Sequence, residues 1–244
     1  MLNPDLSRRT VAEFVGTGAL VAVIIGSGLQ ATGLSPDVGV RLLANSLASA
    51  IGLGLLIALF GPVSGAHLNP VVTLSAWWSR RGGTTALTAR EVASYIAAQL
   101  AGAVAGALLA EAMYGRSPSL LWAGSWSTQV RSAGHLLLGE TVATAGLVLL
   151  VLGLDRIGRA RLAPVAVSAY IAAAIWFTSS GSFANPAATV GRVLTDSFTG
   201  IAPASAPGFI AAQLLGGGLG AALAVVLYGR RPGPHPPAAP STNL

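Results

Sequence analysis

The sequence predicts an all-α membrane protein with six transmembrane helices plus two half-helices in an inverted repeat. Three observations carry this. The chain is 53% hydrophobic and only 9% charged, where a soluble domain carries roughly a quarter charged residues. Asn-Pro occurs twice inside apolar stretches, in SGAHLNPVVTLSAWW at 64–78 and SGSFANPAATVGR at 180–192. The segments AAQLAGAVAGALLAEAMYGR (97–116) and AAQLLGGGLGAALAVVLYGR (211–230) are identical at 12 of 20 positions.

Taken in order, the first apolar run covers 10–33. It is longer than a signal-peptide core and lacks a clear cleavage site, so it reads as a retained span. Further runs at 38–60, 90–113, 134–154, 161–181 and 206–228 reach the roughly 20 residues needed to cross a bilayer as a helix. The shorter stretches 69–79 and 185–196 each begin at Asn-Pro. Proline suits the first turn of a helix, and Asn before it suits the N-cap. A helix of about 12 residues rises only about 18 Å, roughly half a membrane. Irregular backbone at that depth needs surrounding protein or a water-filled cavity.

Charge orients the chain. Arg8, Arg9, Arg80, Arg81, Arg90, Arg156, Arg159, Arg161, Arg230 and Arg231 fall on the side of both termini, and Arg41, Arg116, Arg131 and Arg192 fall on the other. That places both termini in the cytoplasm by the positive-inside rule. The net charge of +6 does not suggest nucleic acid, because the arginines sit in short loops and form no basic face. With no cysteine, disulfides, thiolate metal sites and Cys nucleophiles are excluded.

The repeat divides the chain. Glu13-Phe-Val-Gly-Thr17 opens the first span and Glu140-Thr-Val-Ala-Thr144 the fourth. Residues 1–116 form one three-span unit, with its half-helix at Asn69. Residues 117–133 form an extracellular connecting loop, 134–230 a second unit with its half-helix at Asn185, and 231–244 a Pro-rich disordered cytoplasmic tail. Three spans is an odd number, so the second unit enters from the opposite side. The two half-helices then meet at the midplane. Each N-terminus carries about half a positive charge and free N–H donors, which disfavours cations. The amides of Asn69 and Asn185 can donate to a neutral solute between them.

On SGAHLNP (64–70), the second Asn-Pro-Ala (185–187), Glu13, Glu140, Gln99 and Gln213, the chain resembles the aquaporin or major intrinsic protein family over about residues 10–230. The resemblance implies a homotetramer in the plasma membrane, one pore per subunit, passive conduction of water or small neutral solutes, and no cofactor. It implies pore motifs at Asn69, Pro70 and Val71 and at Asn185, Pro186 and Ala187, and loops braced by Glu13 and Glu140. Two departures stand out. Val71 replaces the usual Ala of the first box. Ala188 occupies the place where the family usually carries the filter arginine, and Arg192 lies one turn further on. Counting without gaps from the boxes, the family filter maps to Ser49, Ala173, Ser182 and Ala188: four small residues and a wide, arginine-free constriction. Such a filter suits glycerol-like or metalloid solutes as well as water.

His67 lacks a second ligand at metal spacing and reads as a loop brace. The tryptophans at 77, 78, 122, 126 and 176 read as interface anchors, and Gln99 and Gln213 as helix-to-helix hydrogen bonders. Gly102, Gly106, Gly216 and Gly220 have G-x-x-x-G spacing and a packing role. A secondary transporter of the same architecture is the alternative, since inverted repeats and broken helices occur there too. A proton relay through Glu13 and Glu140 lacks a facing His or Asp to continue it. An intramembrane enzyme lacks a Ser/His pair, a Cys or an acid pair, and a junction-forming protein would show little solute flux.

Overall fold

The computed structural model describes residues 5–79, 87–116 and 126–229. Among these residues eight α-helices follow in order: α1 (Leu6–Leu34), α2 (Val38–Ser64), α3 (Pro70–Ser79), α4 (Ala89–Met113), α5 (Gly134–Arg156), α6 (Ala163–Phe177), α7 (Pro186–Val193) and α8 (Ala206–Tyr228). A 3-10 turn at Ala160–Leu162 leads into α6. Among the described residues six helical segments are long and apolar enough to cross a membrane, the 3-10 turn and α6 counting as one. The half-helices α3 and α7 have 10 and 8 residues, rising about 15 Å and about 12 Å. End to end they match one crossing of the roughly 30 Å hydrocarbon core.

The helix ends follow local chemistry. Asp5 and Asp37 cap α1 and α2 by accepting from Arg8 N and Val40 N at 2.9 and 2.8 Å. Thr88 and Glu91 form a capping box at α4. α2 runs four residues past the expected end at 60, through Pro62, and stops where Gly65 adopts φ +89°. α6 stops four residues before the expected 181. Thr178 closes it by donating N–H to Ala174 O, and Gly181 at φ +74° turns the chain inward. α7 ends at Val193, three residues short of 196. The tail 231–244, Trp122 and the arginines at 80, 81, 230 and 231 lie outside the described residues.

Packing repeats under the inversion. α1 lies against α4, and α5 against α8. A Cβ on Gly102 would lie 2.2 Å from Phe14 O, and one on Gly106 2.0 Å from Gly18 O. In the other unit a Cβ on Gly216 would lie 2.4 Å from Thr141 O, and one on Gly220 2.3 Å from Ala145 O. Four glycines let two helix pairs touch backbone to backbone at matching positions. Lipid tails are as apolar as leucine, so close approach of this kind holds helices together in a membrane. Leu55 and Leu59 on α2 and Val226 and Leu227 on α8 stay exposed, as a lipid-facing surface requires.

Candidate functional site

The two half-helices meet through a reciprocal clasp. Asn69 Nδ2 donates to Ala184 O at 2.7 Å, and Asn185 Nδ2 donates to Leu68 O at 2.8 Å. Each Oδ1 turns to its own helix: Asn69 accepts from Val71 N at 2.9 Å, and Asn185 from Ala187 N at 3.0 Å and Ala188 N at 3.3 Å. An Asn amide has two donor hydrogens, so the clasp uses one and leaves the second for the cavity that both residues line. Pro70 and Pro186 start the helices and remove an N–H that would otherwise be orphaned.

Behind the clasp sit the two carboxylates, each fully buried. Glu13 accepts from His67 N (2.9 Å) and Ser64 Oγ (2.6 Å) on one oxygen, and from Leu68 N and Gln99 Nε2 (both 2.7 Å) on the other. Glu140 accepts from Phe183 N (2.8 Å), Ala184 N (2.9 Å) and Gln213 Nε2 (2.7 Å). Gln99 and Gln213 also donate to Thr73 Oγ1 and Thr189 Oγ1, at 3.0 and 2.9 Å. The re-entrant loops hold Ala66, Leu68, Ser182 and Ala184 at φ between 46° and 48°, a left-handed conformation that non-glycine residues seldom adopt. The carboxylates collect the N–H groups which that backbone leaves unpaired. His67 Nδ1 lies 3.1 Å from Thr73 Oγ1, and its ring meets Tyr95 edge-on at 5.4 Å. Among the described residues no three His, Cys, Asp or Glu side chains cluster as metal ligands.

A cavity of about 820 Å³ runs past the clasp. Ser49, Ser182 and Ala188 line it, but Ala173 does not. Ala173 is exposed on the far face of α6, and the helix gives the cavity Ala163, Val167, Ile171 and Ile175 instead. These four recur every fourth residue, one face of an α-helix, and 173 falls midway between the last two. The ungapped count from Asn185 therefore lands on the wrong face, and the wall contains isoleucine where the spacing predicts alanine. Trp176, predicted as an interface anchor, also lines the cavity, and its Nε1 donates to Ser46 Oγ at 3.0 Å. Ser49 Oγ and Ser182 Oγ are buried without a hydrogen-bond partner.

Ala188 leaves the usual arginine position uncharged, yet two guanidiniums reach the wall from elsewhere. Arg192, only 8% exposed, donates its Nε to Thr199 O and stacks on Phe183, with Cζ 3.2 Å from the ring centroid. Arg131 arrives from the segment before α5, with Cζ 5.3 Å from the same centroid. It donates to Gly200 O at 2.9 Å and Phe198 O at 3.3 Å. Burial lowers the Arg131 pKa and the Glu140 field opposes that; a guanidinium stays cationic at neutral pH. Nothing in the sequence marks Arg131, whose contacts lie some 50–70 residues away. Arg192 is visible only as the next arginine on the α7 face that carries Ala188.

The comparisons agree with this geometry. The family model described as "MIP: Major intrinsic protein" matches residues 1–180. The chain is 45% identical over 212 residues to aquaglyceroporin AqpS of Rhizobium meliloti (strain 1021), covering 87% of this chain and 86% of that protein. It is 31% identical over 192 residues to a glycerol uptake facilitator protein of Pseudomonas aeruginosa, covering 70% and 66%. The solved structure of the aquaglyceroporin from Plasmodium falciparum superposes with a TM-score of 0.63 at 22% identity, covering 92% of this chain and 96% of that one; at that identity it speaks for the fold. The chain belongs to the major intrinsic protein family, the multi-pass membrane channels for water and small neutral solutes.

Proposed function

We propose that the cavity carries glycerol-sized neutral solutes, and uncharged metalloid hydroxides such as arsenite, as well as water. One observation carries this reading. Ser49, Ser182 and Ala188 give the cavity a wall of small residues, and Ile171 and Ile175 supply apolar surface from α6, while Asn69 and Asn185 each keep one amide hydrogen for the cavity. Such a wall favours a solute with hydroxyls for the amides and carbon for the isoleucines. With Ala188 in place of the filter arginine, a polyol meets less steric bulk at that level. The relatives' names, an aquaglyceroporin and a glycerol facilitator, support this solute class.

The same reading assigns Asn69 and Asn185 as pore donors and Glu13, Glu140 and His67 as loop braces. The units 1–116 and 134–230 act as the two halves of one pore, joined by the outer loop. The protein works as a homotetramer in the plasma membrane, both termini cytoplasmic, as the arginine distribution favours. Stopped-flow permeability of proteoliposomes to water, glycerol, urea and arsenite tests the solute class. We expect all four to pass, and the Ala188→Arg variant to lose glycerol and arsenite while keeping water. A protein that passes water only would overturn the reading.

A further inference from the structure

Arg192 and Arg131 have a feature that loop bracing leaves unused. Arg192 is nearly buried and lines the cavity. The only hydrogen bond of its guanidinium among the described residues is from Nε to Thr199 O, which leaves four Nη hydrogens unassigned. Arg131 uses Nε and Nη2 on loop carbonyls and leaves Nη1 without a partner among those residues. No carboxylate pairs with either guanidinium there; the ion pairs are Arg9–Glu91 and Arg116–Glu111. Glu140, whose field reaches Arg131, already accepts from Phe183, Ala184 and Gln213. Two cations thus converge on one ring, their Cζ atoms separated by no more than the sum of 3.2 and 5.3 Å, with no counterion of their own.

Like charges held that close, partly out of water, repel strongly. A bound anion relieves the repulsion. Two guanidiniums against one nearby carboxylate leave a local charge of about +1, which selects a monovalent ligand. Guanidinium forks match two oxygens of one planar group, with N···O distances of about 2.7–2.9 Å. The lining beside them is Phe183 and Phe198, which suits a small body. We propose that Arg131 and Arg192, held over Phe183, form a binding site for a small monovalent oxyanion of the carboxylate class at the outer end of the cavity. The Arg192 backbone lies one turn of α7 beyond Ala188, and its guanidinium rests on Phe183, two residues before Asn185. The pair makes this end of the path anion-attracting and cation-repelling.

The proposal takes the cavity as the solute path, but its test reads binding without flux, so the two stand or fall separately. Sodium acetate and its uncharged isostere acetamide are titrated into the purified full chain in detergent at constant ionic strength. Heat of binding and the midpoint of thermal unfolding are followed. We expect acetate to bind and raise the midpoint, as any ligand of the folded state does, and acetamide to do neither. Arg131→Gln and Arg192→Gln each should weaken acetate binding about tenfold or more. Arg192→Lys, which keeps charge and a donor for Thr199 O but loses the fork, should fall between. Arg156→Gln, on the opposite side of the protein, should bind acetate as the parent does. If Arg192→Gln fails to fold, Arg131→Gln and Arg192→Lys carry the comparison. Equal effects of acetate and acetamide, or unchanged acetate binding in the folded arginine variants, would overturn the proposal.

Discussion

Val71, the departure from alanine in the first box, has a visible compensation. A Cβ placed on Gly217 of α8 would lie 2.4 Å from Val71 Cγ1. In the other unit the corresponding pair is Ala187 and Ala103, both fully buried in one cluster. One unit thus packs Val against Gly where the other packs Ala against Ala. Gly217→Ala forces an approach 1 Å inside the 3.4 Å at which ordinary contact begins, an overpacking that costs about 1–3 kcal/mol. Val71→Ala removes two methyl groups and leaves a void, a loss of about 1–2 kcal/mol. The double variant Val71→Ala/Gly217→Ala recreates the Ala–Ala packing of the other unit. It should be more stable than the sum of the single effects by about 1–2 kcal/mol. Thermal unfolding of the four proteins in one detergent measures the cycle. A Gly217→Ala protein as stable as the parent, or a double variant no better than additive, would refute the packing argument.

Three further outcomes follow from the geometry. Glu13→Gln and Glu140→Gln replace an acceptor-only group with one that carries two donors among N–H groups, so each should lower folded yield by about 1–3 kcal/mol of stability; an unchanged yield with altered proton sensitivity would point to a relay. Asn69→Ala or Asn185→Ala removes a cap worth about 1 kcal/mol and half of the clasp, and should cut solute flux; full flux in the double variant would refute the pore role. Ala173→Trp should leave glycerol flux unchanged while Ile175→Trp blocks it, and the reverse result would restore the sequence-based filter.

The repeat was legible because its landmarks are chemically scarce: a buried Glu, a Gln and an Asn-Pro stand out in Gly- and Ala-rich helices. Even the brace partners could be named, since an apolar chain offers few acceptors for loop N–H groups. The position contributed by α6 was not legible. Facing depends on rotation by about 100° per residue, and a count across the irregular Thr178–Ala184 loop does not preserve it. Arg131 was hidden for a different reason. It reaches Phe183 because the loop carbonyls of Phe198 and Gly200 turn toward it, and no local pattern encodes such a contact. That Trp176 also lines the cavity and donates to Ser46 Oγ was not legible, because the partner lies on another helix, 130 residues away.

Passive conduction through the clasped cavity and ion-coupled transport on the same architecture differ in one measurable quantity: the initial rate of glycerol entry into proteoliposomes over a wide range of outside concentration, with and without a protonophore. For a channel the rate rises linearly with concentration and ignores the protonophore. A rate that saturates at low glycerol, or collapses when the proton gradient is removed, would make the protein a coupled transporter instead.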